Sequence, residues 1–120
     1  MTLVDLGGLR LNTAVDGPEG APWIILSNSL GASLWMWSPQ IAFLTQKYRV
    51  LRYDTRGHGG SDTPEGLYTM AGLVGDVIGL MDHFGIEKAS FMGLSMGAMT
   101  GMGLALTSPE RFDRMVLADG

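Results

Sequence analysis

Ala89-Ser90-Phe91-Met92-Gly93-Leu94-Ser95-Met96-Gly97 is the stretch from which the rest of the chain is read. Ala89 to Met92 is a short apolar run of the kind that forms a buried strand, and Ala98 to Ser108 is an apolar segment long enough for about three helical turns. A serine set between glycines where a strand turns into a helix is forced out of the sheet edge, toward the first amides of that helix. This is the geometry of a nucleophile. With 18 glycines in 120 residues the pentapeptide Gly93 to Gly97 is not distinctive alone, so its surroundings decide.

Upstream, Thr69 is placed to cap a helix running to about Phe84, with Leu73, Val77, Leu80, Met81 and Phe84 on one face and Gly85 as its stop. Before it, Asp54 to Tyr68 is turn chemistry throughout, a loop at the carboxyl end of a strand over Arg49 to Tyr53. Ser38-Pro39 predicts a helix start, Ser at the N-cap and Pro at the first helical position, leading into Gln40 to Gln46. Trp23 to Leu26 is a continuous apolar run, as in a strand buried on both faces, and it ends in Ser27-Asn28-Ser29-Leu30-Gly31. Leu3 to Leu6 and Leu9 to Val15, joined by Gly7-Gly8, predict an edge hairpin, and Asp16 to Gly20 a turn. Downstream, Pro109 ends the last helix and Met115 to Ala118 predicts a further buried strand.

Strands alternating with helices imply an α/β fold, a doubly wound, mostly parallel sheet with an N-terminal antiparallel hairpin. Ligands of such sheets bind beyond the carboxyl ends of the strands, where Leu30, Arg56, Ser95 and Asp119 all fall. The net charge of −4 argues against nucleic acid. Lys47, Arg49, Arg52 and Arg56 alternate with Tyr48, Val50, Leu51 and Tyr53, as the solvated ends of a strand do. No apolar run reaches the roughly 18 residues of a membrane span, and no basic region precedes an apolar core at the N-terminus, so neither anchor nor signal is expected and the cytoplasm is the default. Zero cysteines exclude disulfides and thiolate chemistry.

From about Leu11 to Gly120 the chain resembles the α/β-hydrolase superfamily. Three motifs carry the resemblance in order: Ser27 to Gly31 after a buried strand, Asp54-Thr55-Arg56-Gly57-His58-Gly59-Gly60-Ser61-Asp62, and Gly93 to Gly97. Ser-Asn-Ser-Leu-Gly followed by Trp35-Met36-Trp37-Ser38-Pro39-Gln40 and Gly-Leu-Ser-Met-Gly is most similar to the 3-oxoadipate enol-lactonases of aromatic catabolism. The resemblance implies hydrolysis of a small carboxylic ester or lactone with no metal or organic cofactor. Ser95 would attack the carbonyl, the backbone amides of Met96 and Leu30 would hold the oxyanion, and Ser29, Trp35 and Met96 would contact substrate.

The order expected of the catalytic groups in this superfamily is Ser, then an acid, then His, and no histidine follows Ser95. His58 and His83 are both read as structural. Asp119 is read first as a strand-end cap or turn and second as the acid. Residues 1–120 are therefore expected to be the N-terminal part of a single incomplete hydrolase core, lacking lid and C-terminal part. Its last strand would be covered by that missing part or by another chain, and would otherwise present an apolar surface. The alternatives are a hydrolase-fold binding module without the histidine, and a cofactor-free perhydrolase or esterase on the same scaffold. Met92, Met96, Met99 and Met102 are read as core filler before acyl pocket, and Trp35 and Trp37 equally as cleft wall or packing. Gly101-Met102-Gly103 lies inside a helix and does not make a dinucleotide loop. Asp54, His58 and Asp62 are read as turn residues before metal ligands, and Arg56 as a loop brace before a substrate contact.

Overall fold

The computed structural model describes residues 1–29, 32–61 and 69–118. β1 (Thr2–Asp5) and β2 (Arg10–Asp16) form the expected hairpin. Asp5 Oδ1 accepts the Gly8 N–H at 2.7 Å, and Gly7 and Gly8 take the left-handed conformations that the tight turn needs. β3 (Trp23–Ser27), β4 (Arg49–Tyr53), β5 (Ala89–Leu94) and β6 (Phe112–Ala118) are parallel, and β2 joins them antiparallel to β4. The six strands lie in the order β1-β2-β4-β3-β5-β6.

That order places the site. From β3 the chain passes through α1 (Ser38–Leu44) to β4 on one flank, then returns through α2 (Met70–Phe84) to β5 on the other flank. The connections diverge between β3 and β5, and the carboxyl ends of strands at such a point are where sheets of this kind bind ligands. Ser27 and Gly93 are the last paired residues there, and α3 (Met96–Thr107) starts directly above them.

Apolar side chains alternate across the sheet because both faces are covered. Ile25, Leu51 and Phe91 join Val77, Leu80, Met81 and Leu104 on the α2 and α3 face; Ile24, Leu26 and Val50 join Trp37 and Leu44 on the other. Thr69 Oγ1 accepts the Gly72 N–H at 3.0 Å, and Gly85 closes α2 at φ +69°, so both ends of this helix are where the residue types predict. A Cβ on Gly101 would collide with Leu117 and Phe91, and one on Gly103 with Val74, so these glycines let α3 seat against the sheet and against α2.

Four expectations need correction. A 3-10 turn over Leu34–Trp37, capped by Ser33, precedes α1, so Ser38 is the first helical residue and not the N-cap. β6 is an edge strand and not a buried one: Val116 is 54% exposed and Leu117 is also exposed, because no element lies beyond them among the described residues. Met99 and Met102 are exposed together with Leu106, so this stripe of α3 is uncovered surface rather than core filler. Arg52 is not solvated but 6% exposed: it pairs with Asp16 at 2.9 Å, donates to Leu34 C=O, and lies over the Trp35 ring at 5.8 Å.

Candidate active site

The turn from β5 into α3 is built by exclusion of side chains. A Cβ on Gly93 would strike the Gly97 carbonyl, and one on Gly97 would strike the Ser27 carbonyl, so neither position tolerates a larger residue without movement. Between them Ser95 adopts φ 57°, ψ −113°, and it is the only non-glycine residue at positive φ among those described. Such a conformation costs a residue with a Cβ about 1–3 kcal/mol and is held by its surroundings. The holding bonds come from both neighbouring strands. Ser95 N–H donates to Ala118 C=O at 3.0 Å, and Gly97 N–H donates to Asn28 C=O at 3.0 Å.

The first turn of a helix leaves its amides without intrahelical acceptors, so each of them can be traced. Ala98 and Met99 donate to Ser95 C=O at 2.9 and 3.1 Å, and Gly97 is used by Asn28. That leaves Met96 N–H, which finds no acceptor among the described residues. The Ser95 hydroxyl does not cap the helix, and the residue is half-buried. The hydroxyl of a half-buried residue thus sits beside an unengaged amide at the positive end of a twelve-residue helix, an arrangement suited to attack on a carbonyl and to charge on its oxygen.

Behind this turn lies a set of buried polar bonds that the sequence reading did not single out. Asn28 Nδ2 donates to Tyr53 C=O at 2.8 Å, and Trp37 Nε1 donates to Asn28 Oδ1 at 2.9 Å. The Ser27 and Tyr53 hydroxyls share a 2.7 Å hydrogen bond, and burial holds the Tyr53 hydroxyl protonated far above the ordinary phenol range. Asp54 accepts from Leu34 N–H at 2.6 Å, Gly60 N–H at 2.9 Å and Asn12 Nδ2 at 3.1 Å, so it ties the loop after β4 to the segment after β3. A polar residue at the carboxyl end of a predicted strand was the available signal for Asn28 and for Asp54 alike.

Ser95 and Met96 are brought together, and the Gly97 bond joins them to Asn28, next to Ser29. Ser29 is half-buried, and its N–H contacts Met36 Sδ at 3.4 Å. Trp35 is 57% exposed above Arg52, whereas Trp37 is buried against Asn28. Leu30, Asp62 and Asp119 lie outside the described residues. His83 ends α2 and packs edge-on against Phe84, which meets Trp23 at the amino end of β3, the edge of the sheet opposite Ser95. His58 Nδ1 faces Arg56 C=O at 3.1 Å, and Arg56 braces the loop through two 2.7 Å bonds to buried Asp76 on α2. Neither ring hydrogen-bonds to Ser95.

Comparison with known proteins agrees with this architecture. The chain is 50% identical over 111 residues to 3-oxoadipate enol-lactonase 2 of Acinetobacter baylyi and 46% identical over 112 residues to enol-lactonase 1 of the same organism. These matches take in 92% and 93% of this chain, which spans 42% of the length of each relative. The crystal structure of the enol-lactonase from Burkholderia xenovorans superposes with a TM-score of 0.95 at 51% identity, covering 97% of this chain and 45% of that one. No helix among the described residues is long and apolar enough to cross a membrane. Residues 22–120 match the model of the alpha/beta hydrolase fold, and the chain belongs to that family.

Proposed function

We propose that this chain is the N-terminal part of a serine hydrolase that opens a small carboxylic ester or lactone, and that its substrate is 3-oxoadipate enol-lactone. The observation that carries the reading is the strained Ser95 beside the unengaged Met96 N–H. The two Acinetobacter relatives and the Burkholderia structure, all of them enol-lactonases by name, support the choice of substrate.

In this reading Ser95 Oγ attacks the lactone carbonyl while a base takes its proton. The carbonyl oxygen becomes negative and is received by the backbone amides of Met96 and Leu30. Collapse breaks the ring C–O bond, the departing enol oxygen regains the proton and relaxes to a ketone, and a water molecule then frees the acid from Ser95 by the same steps reversed. Ser29, Trp35 and Met96 flank the substrate. The base is a histidine that neither His58 nor His83 supplies; it comes from the remainder of the protein or from a partner chain that also covers β6. Asp119 is the acid this chain offers, as the second choice to one supplied with the histidine.

A second reading, a hydrolase-fold binding module, is favoured by one observation: no histidine among the described residues bonds to Ser95. Treatment with a fluorophosphonate followed by intact mass and peptide mapping separates the two. Labelling of Ser95 once the C-terminal part of the Acinetobacter relative is supplied supports the hydrolase. Failure to label with and without it favours the binding module. Rates of enol-lactone opening against p-nitrophenyl esters then test the substrate.

A further inference from the structure

Four elements meet at Asn28, which is fully buried. It follows the end of β3, its Nδ2 reaches the carbonyl of Tyr53 at the end of β4, and its Oδ1 receives the indole N–H of Trp37 from the 3-10 turn. Its own carbonyl receives the Gly97 N–H from the first turn of α3. A carbonyl only accepts and an indole N–H only donates, so the orientation of the Asn28 carboxamide is forced. An ionised aspartate lacks the donor and an aliphatic residue lacks both groups. The Gly97 Cα lies against the Ser27 carbonyl with no room for a methyl group, so the gap between β3 and α3 has no slack to absorb a rotation of residue 28.

We propose that Asn28 is a positioning residue of the site: its carboxamide fixes the peptide that follows β3 and, through the Gly97 bond, sets where the Met96 N–H and Ser95 stand relative to that peptide. The catalytic meaning rests on the reading of Ser95 as nucleophile; the geometric claim does not. A residue that merely satisfied buried groups would stabilise the fold as a whole, whereas a positioning residue acts on one side of the turn. The Ser95 N–H bond to Ala118 lies on the other side and serves as an internal reference.

The test compares wild type, N28A and N28D by amide hydrogen exchange and by fluorophosphonate labelling, under whichever condition labels the wild type. In N28A, exchange at Gly97 accelerates at least about tenfold relative to exchange at Ser95, and labelling per folded molecule falls about ten- to a hundredfold. Equal acceleration at both amides, or labelling within about twofold of wild type, overturns the proposal. If N28A does not fold, N28D decides. Burial and the facing Tyr53 carbonyl oxygen disfavour the ionised form of the introduced carboxyl, whose protonated form can donate to Tyr53 C=O while still accepting from the Trp37 indole. The Tyr53 hydroxyl stays protonated throughout this range. Labelling of N28D therefore recovers as pH falls, opposite to a wild-type profile limited by a base; a profile parallel to wild type refutes the assignment. A wild type that never labels sinks the hydrolase reading and leaves the exchange ratio at Gly97 to decide Asn28.

Discussion

Ser95 carries a backbone conformation that glycine adopts freely and that a Cβ resists. The substitution Ser95→Gly is accordingly expected to stabilise the protein by about 1 kcal/mol while abolishing fluorophosphonate labelling. Denaturant unfolding checks it: the midpoint rises with an unchanged slope, and a fall would mean that the turn stores no strain. Tyr53 makes a separate prediction. Its hydroxyl is held neutral when folded, while in the unfolded chain it ionises near its ordinary value of 10.0. The native state therefore binds the more protons above that value. The contribution to stability is intact below pH 10 and is lost as pH rises further, so Tyr53→Phe should flatten the alkaline limb of the stability profile measured by thermal melts.

Elements with local signals were legible in the sequence. Thr69 and Gly85 delimit α2 because a cap acts within three or four residues of itself, and the apolar run at Trp23 places β3 because burial on two faces leaves no polar alternation, while Val50, Leu51 and Tyr53 mark β4 between and beside two arginines. Ser95 and its glycines were legible for the same reason. The 3-10 turn was not, because its placement depends on Leu34 N–H reaching Asp54, 20 residues away. Arg52 looked solvated because its partner Asp16 is 36 residues distant, and Asn28 passed as one letter of a motif because its partners lie on other elements. An apolar run such as Met115 to Ala118 records what a strand is suited to have against it, which is not the same as what lies there. The pairing between elements is itself testable. Asp76, buried and held by two of the guanidinium nitrogens of Arg56, should cost about 2–4 kcal/mol as Asp76→Ala, since removal takes two charge-assisted bonds from a partly buried guanidinium. The exposed Lys88–Asp113 pair at 3.4 Å should change stability by less than about 0.5 kcal/mol as Asp113→Ala. Urea titration of the two variants ranks them, and equal losses would show that Asp76 only decorates α2.

At the scale of the molecule, Val116 and Leu117 on the edge strand and Met99, Met102 and Leu106 on α3 form apolar surface of a kind that soluble monomers keep small. The chain alone is expected to self-associate and to bind an environment-sensitive apolar dye. Val116→Lys together with Leu106→Glu should raise the monomer fraction in sedimentation without lowering the unfolding midpoint; an already monodisperse wild type would contradict this. The strand order has one more result, in time rather than space. β3 is flanked by β4 and β5, and about 60 residues separate the end of β3 from the start of β5. At a ribosomal pace of about 5–20 residues per second, one flank of β3 waits roughly 3–12 seconds for its neighbour to be made. Which surfaces stand bare while the chain is born is thus governed by the schedule of translation, and β3, an inner strand, is kept waiting on one side.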